Sequence, residues 1–103
     1  MTIQGLRDSS LQREACLVGG DWRAAGSGRT LDVIDPATQE AIGAVPDADG
    51  DYTRAAVEAA AAAFGPWRAK SNAERAALLE TWHALMLEHV EDLALILTRE
   101  QGK

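Results

Sequence analysis

Cys16 is the only cysteine in the sequence, and thiol chemistry would have to start there. A nucleophilic thiol needs a depressed pKa and a base beside it. Cys16 instead opens the short apolar run Cys16-Leu17-Val18 with no histidine near it, so it reads as a small buried hydrophobe. The two histidines, His83 and His89, lie six residues apart. That spacing puts them on different faces of a helix, whereas ligands at i and i+4 would share one. They read as solvated or partly buried helix histidines, and His89, near a helix C-terminus, suits the dipole when protonated. Gly19, Gly20, Gly26 and Gly28 suggest a phosphate loop only until their spacing is checked. None fits G-x-G-x-x-G opening a helix after a strand, nor the G-x-x-x-x-G-K-[ST] pattern, so they are hairpin and loop glycines. Glu88, Glu91 and Asp92 read as the solvated face of a helix junction rather than a catalytic carboxylate pair. Trp22, Trp67 and Trp82 read as core anchors rather than a ligand cage, because each carries a heavy apolar payload. From these residues no catalytic, cofactor-binding or metal-ligating residue is assigned.

Composition bounds the function classes. The chain has 103 residues, room for one small domain at most. Its net charge of −6 would repel nucleic acid and anionic membrane surfaces, so neither is an expected partner. One cysteine allows no internal disulfide, which fits a reducing cytoplasm. No secretory h-region precedes Gln12, and no apolar run approaches the roughly 20 residues of a membrane span. A soluble, cytoplasmic protein is expected.

The elements that must position these residues follow from turn and cap chemistry. Residues 1–15 are polar and read as an N-terminal arm. Cys16-Leu17-Val18 and Asp21-Trp22-Arg23, joined by Gly19-Gly20, read as a hairpin, because paired glycines reach the positive φ that tight turns need. Residues 25–29 form a loop. Leu31 to Ile34 and Ala41 to Val45 read as a second hairpin around Asp35-Pro36-Ala37-Thr38, with Asp35 bonding the backbone two residues on. Asp49 is the expected cap of an alanine-rich helix that should run to about Phe64 and end at Gly65-Pro66. Ser71-Asn72-Ala73-Glu74 is a capping box. The helix after it carries Leu78, Trp82 and Leu85 on one face, with a kink near Val90. Leu93, Ile96 and Leu97 continue the stripe, and Gly102 ends it. The expected fold class is α+β: two β-hairpins followed by two or three α-helices. These elements present more apolar face than they can cover among themselves, so a larger structure is expected around them.

Order and wording of the segments then carry a resemblance. Leu17-Val18-Gly19-Gly20-Asp21-Trp22 resembles the opening I-x-G-E-W hairpin of the aldehyde dehydrogenase superfamily. Val33-Ile34-Asp35-Pro36-Ala37-Thr38-Gln39-Glu40 resembles its V-x-N-P-A-T-G-E turn, and Ala41 to Pro46 its x-I-G-x-V-P strand. Residues 51–64 resemble its first helix, Pro66-Trp67-Arg68 its x-W-R, and Ser71 to Arg75 its S-x-x-E-R helix start. Thr98-Arg99-Glu100-Gln101-Gly102-Lys103 resembles T-L-E-Q-G-K. The likeness covers residues 11–103. Leu79-x-x-Trp82, Leu85 to His89 and the lead-in Leu6 to Leu11 look like the succinate-semialdehyde dehydrogenase group. The departures are Asp35 for the usual Asn, Gln39 for Gly and Arg99 for Leu.

The resemblance implies that residues 16–103 are an incomplete, N-terminal part of an α/β coenzyme-binding domain. The whole protein would be an NAD(P)-dependent oxidoreductase that converts succinate semialdehyde, or glutarate semialdehyde, to the dicarboxylate. In that chemistry a cysteine thiolate attacks the aldehyde, hydride passes to NAD or NADP, and a glutamate activates water against the thioester. The motifs carrying those groups are not in these 103 residues, and Cys16 does not match the family's cysteine motif. The segment is therefore expected to be structural, inactive alone and without cofactor. Its expected partners are the remainder of the same polypeptide and, for the whole enzyme, a small aldehyde and further copies in a homo-oligomer. The competing reading is a stand-alone, non-catalytic protein-interaction module derived from the same family.

Overall fold

A computed structural model describes residues 2–103. Strands β1 (Cys16–Val18) and β2 (Asp21–Arg23) pair antiparallel, with Leu17 opposite Trp22. Gly19 and Gly20 take φ of 61° and 88°, the left-handed pair that a two-residue hairpin turn requires. Strands β3 (Thr30–Ile34) and β4 (Ala41–Pro46) form a second, separate antiparallel sheet, bulged between Val33 and Ile34. Three helices follow: α1 (Gly50–Ala69), α2 (Asn72–Glu88) and α3 (Val90–Gln101). The α+β reading thus holds, with three helices.

Local chemistry sets most of the boundaries. Asp49 caps α1 by accepting from the Tyr52 amide at 2.9 Å, and the Tyr52 hydroxyl donates to the Arg23 carbonyl at 2.8 Å, tying α1 to β2. Both halves of the capping box form at α2: the Glu74 amide donates to Ser71 Oγ, and the Ser71 amide donates to the Glu74 carboxylate at 2.7 Å. Arg75 reaches back from α2 to the Arg68 and Lys70 carbonyls, so one guanidinium satisfies acceptors left at the end of α1. His89 lies at φ −105°, ψ 18° between α2 and α3 and makes the kink expected near Val90. Gly102 caps α3 at φ +73°, its amide donating to the Thr98 carbonyl at 2.8 Å.

One boundary differs. α1 does not stop at Phe64; it runs through Gly65 and Pro66 to Ala69. A proline removes one helical hydrogen bond, here to the Ala62 carbonyl. Residues 61–70 are all exposed, so water can take that carbonyl, while the preceding alanines favour continued helix.

The N-terminal arm is ordered and docked. Ser9–Leu11 form a short 3₁₀ turn capped by Asp8. Gln12 accepts from the Ile3 amide at 2.8 Å and donates to the Ile42 carbonyl at 2.7 Å. Glu14 accepts from the Ala44 amide at 3.3 Å, so arm side chains occupy part of the open edge of β4. Gly43 permits this approach, because a Cβ there would stand 2.9 Å from Gln12 Nε2. From the other side Asp92, expected on a solvated face, is 5% exposed and accepts from the Arg7 and Asp8 amides at 2.9 Å each. The correction has a tertiary cause: the arm crosses α3 there and brings two amides that need an acceptor.

The radius of gyration is 16.4 Å, against about 13 Å for a compact domain of this length. Among the described residues the buried hydrophobics are Ile3, Val18, Ala25 and Ile42. That small set leaves polar ties to fix the elements relative to one another.

Asp92→Ala should therefore free the arm, with trypsin cutting after Arg7 and Arg13 faster than in the parent. Asp92→Asn, which keeps one acceptor oxygen, should give an intermediate rate. The two amide bonds hold the Asp92 carboxyl below its ordinary range. Its contribution is present at neutral pH and is lost progressively as pH falls below about 4 toward the lower folded value, so hydrogen exchange of the arm should quicken only below about pH 4. Equal cleavage rates in all three proteins would refute this tie.

Candidate functional site

The side chains considered for chemistry do not converge. Cys16 is half-buried in β1, beside Tyr52 of α1. That is less enclosed than a core position. His83 is exposed on α2, and His89 is partly buried at the kink with its backbone amide bonded to the Leu85 carbonyl. Among the described residues no group of three His, Cys, Asp or Glu is placed to hold a metal ion.

The helix starts here do not favour phosphate. Phosphate would be drawn to a helix N-terminus with free amides. Here α1 opens with Asp49 and Asp51, α2 with Glu74, and α3 with Glu91 and Asp92. Each helix start thus carries carboxylate, which occupies the dipole end and would repel a pyrophosphate.

What the elements do assemble is an uncovered apolar face. Trp82 is 59% exposed, and Leu78, Leu85, Met86 and Leu97 are exposed with it. Leu11, Trp82, Leu85, Met86, His89 and Leu93 line an open groove of about 310 Å³. A second groove, of about 650 Å³, runs between the β1–β2 turn and the alanine face of α1 at Ala56, Ala59 and Ala63. Gly19 approaches closely enough that its Cβ would meet Ala59 at 3.7 Å. The expectation that Trp22, Trp67 and Trp82 anchor a core is corrected for this chain: all three are exposed, because no element within it lies across them. Trp22 instead has the Arg13 guanidinium over its ring, 4.6 Å from the centroid.

Asp35 is the most buried polar residue, at 2% exposed. Its Oδ1 accepts from the Ala37 amide at 2.8 Å, the bond expected of an Asp before proline. Its Oδ2 meets Arg99 of α3 at 3.3 Å, a partner 64 positions away that local reasoning does not find. The Ala37 amide and the Arg99 guanidinium hold this carboxyl below its usual range, against the opposing effect of burial.

Comparison with known proteins decides the family. Residues 22–103 match the aldehyde dehydrogenase family. The chain belongs to that family. It is 46% identical over 98 residues to an Escherichia coli protein named succinate-semialdehyde dehydrogenase (NADP+), covering 95% of this chain and 20% of the relative. It is also 46% identical over 98 residues to a 3-sulfolactaldehyde dehydrogenase of Pseudomonas putida, with the same coverage. The crystal structure of succinate-semialdehyde dehydrogenase from Burkholderia pseudomallei superposes with a TM-score of 0.90 at 48% identity, covering 93% of this chain and 20% of that one. The chain thus spans about one fifth of the relatives it matches. Equal identity to relatives named for different aldehydes means that likeness over this segment does not single out a substrate.

Cys16→Ala removes one half-buried sulfur from β1 and should lower stability by no more than about 1 kcal/mol, read by urea unfolding of the polypeptide that the native gene produces. A loss of several kcal/mol would show that Cys16 is a packing anchor.

Proposed function

We propose that these residues are the N-terminal segment of an NAD(P)-dependent aldehyde dehydrogenase that oxidises succinate semialdehyde, or glutarate semialdehyde, to the dicarboxylate. The observation that carries the reading is the match at 48% identity and TM-score 0.90 to one fifth of a succinate-semialdehyde dehydrogenase. In this reading residues 1–15 are an arm, and residues 16–103 are an incomplete part of the coenzyme-binding domain. The role of the segment is scaffolding: it supplies no catalytic, cofactor-binding or metal-binding residue. The apolar face of Trp82, Leu85 and Met86 and the alanine face of α1 lie against the remainder of the same polypeptide, which carries the cofactor and the reacting cysteine. Burial of that face is worth about 25 cal/mol per Å² of apolar surface, a strong drive to dock.

The uncovered face also favours a second reading, a stand-alone module that binds another protein through it. The coding sequence beyond the Lys103 codon separates the two. An open frame is expected, and its purified product should reduce NAD or NADP when given succinate semialdehyde, measured by the absorbance of the reduced nicotinamide. Glutarate semialdehyde, one methylene longer, should differ by about 10–200-fold in kcat/KM. A stop codon directly after Lys103 in the native gene, or a longer product that reduces neither coenzyme with any small aldehyde, would overturn the dehydrogenase reading.

A further inference from the structure

Three places where the sequence departs from the pattern it resembles are Asp35 and Gln39, both in the β3–β4 turn, and Arg99, which lies 64 positions after Asp35 and meets it there. Asp35 organises that turn through its backbone and one oxygen. Its amide donates to the Glu40 carbonyl at 2.9 Å, its carbonyl accepts from the Gln39 amide at 2.8 Å, and Oδ1 takes the Ala37 amide. Gln39 sits at φ +63°, a left-handed conformation that a residue with a side chain seldom adopts. Its side-chain amide donates to the Pro36 carbonyl at 2.8 Å. The turn therefore holds one residue in a strained conformation.

The C-terminal end of α3 meets this turn. The second oxygen of Asp35 faces the Arg99 guanidinium at 3.3 Å, and no described group other than Arg99 is bonded to it. Three residues on, Gly102 lies against Pro36, where a Cβ would come within 3.1 Å of Pro36 Cγ. Two different contacts thus join the same pair of segments. The burial of the ion pair is unequal: the Asp35 side chain is 3% exposed and the Arg99 side chain 42%. Arg99 can be solvated without Asp35, but Asp35 has no comparable access to water.

We infer that Asp35 and Arg99 form an ionic latch that holds the strained β3–β4 turn against the end of α3 and fixes the direction of the chain at Gly102. The latch is a matched pair. Either residue alone is out of place, and both can be exchanged together for neutral side chains. Asparagine at 35 keeps an oxygen for the Ala37 amide while dropping the charge that Arg99 balances.

The test is a double-mutant cycle in the polypeptide that the native gene produces, read by hydrogen exchange in peptides spanning 33–41 and 96–103. Local exchange reports the latch whether or not the protein oxidises an aldehyde, so it is independent of the dehydrogenase reading. Arg99→Leu strands a buried carboxylate and should speed exchange of the turn about tenfold, within the range for residues in contact. Asp35→Asn should speed it less, because Arg99 turns to solvent. The double variant should return to within about threefold of the parent. Parent-like exchange in Arg99→Leu, or a double variant as fast as the product of the singles, would overturn the latch. If Arg99→Leu does not fold, a folded protein on adding Asp35→Asn supports the pair, and continued failure overturns it.

Discussion

Two buried carboxylates hold this chain in its shape. Asp35 and Asp92 are the polar residues that lose almost all contact with water, and each spends its oxygens on groups remote in sequence or on a turn it alone organises. A buried charge is tolerable only when its lone pairs are filled. No buried side-chain polar atom among the described residues lacks a partner. The arm is placed by Asp92 and Gln12, the end of α3 by Asp35, and the start of α1 by Tyr52. Directional polar bonds do much of the positioning here, where few hydrophobic side chains are buried.

The reason is visible in what remains uncovered. Two short hairpins and three helices each have an apolar side, yet the sheets are separate two-stranded ribbons and the helices form no closed layer. Two-stranded ribbons are marginal by themselves and gain stability by packing against something larger. The exposed Trp82, Leu85 and Met86 are the surface on which such packing would occur. Membership of a family whose matched relatives are about five times longer than the matched stretch gives this surface a natural place. The carboxylates at the helix starts fit the same picture, since they favour helix formation and disfavour phosphate.

Local signals read well because they act over a few residues. The Gly19-Gly20 turn, the Asp35-Pro36 turn, the Asp49 cap, the Ser71–Glu74 box, the break at His89 and the Gly102 cap all follow from one residue's conformational range or one side chain's reach. The end of α1 was less legible. Proline is a strong stop signal, but its cost depends on whether water can take the freed carbonyl, and that is a property of the surroundings. The burial of Asp92 and the exposure of the tryptophans had no local signal at all. A carboxylate on a helix looks the same in sequence whether a solvated face or two amides of a distant arm await it.

By itself, the sequence determined the α+β class, the order of elements, most of their ends and, through ordered motifs from residue 17 to 103, the family. Only the tertiary structure decided that the arm docks between β4 and α3, and that Asp35 and Arg99 meet. It also decided that the tryptophan side chains face outward within this chain. The physical reason is range: caps and turns are settled within one helical turn or hairpin, whereas ion pairs and burial depend on which distant segment arrives beside them.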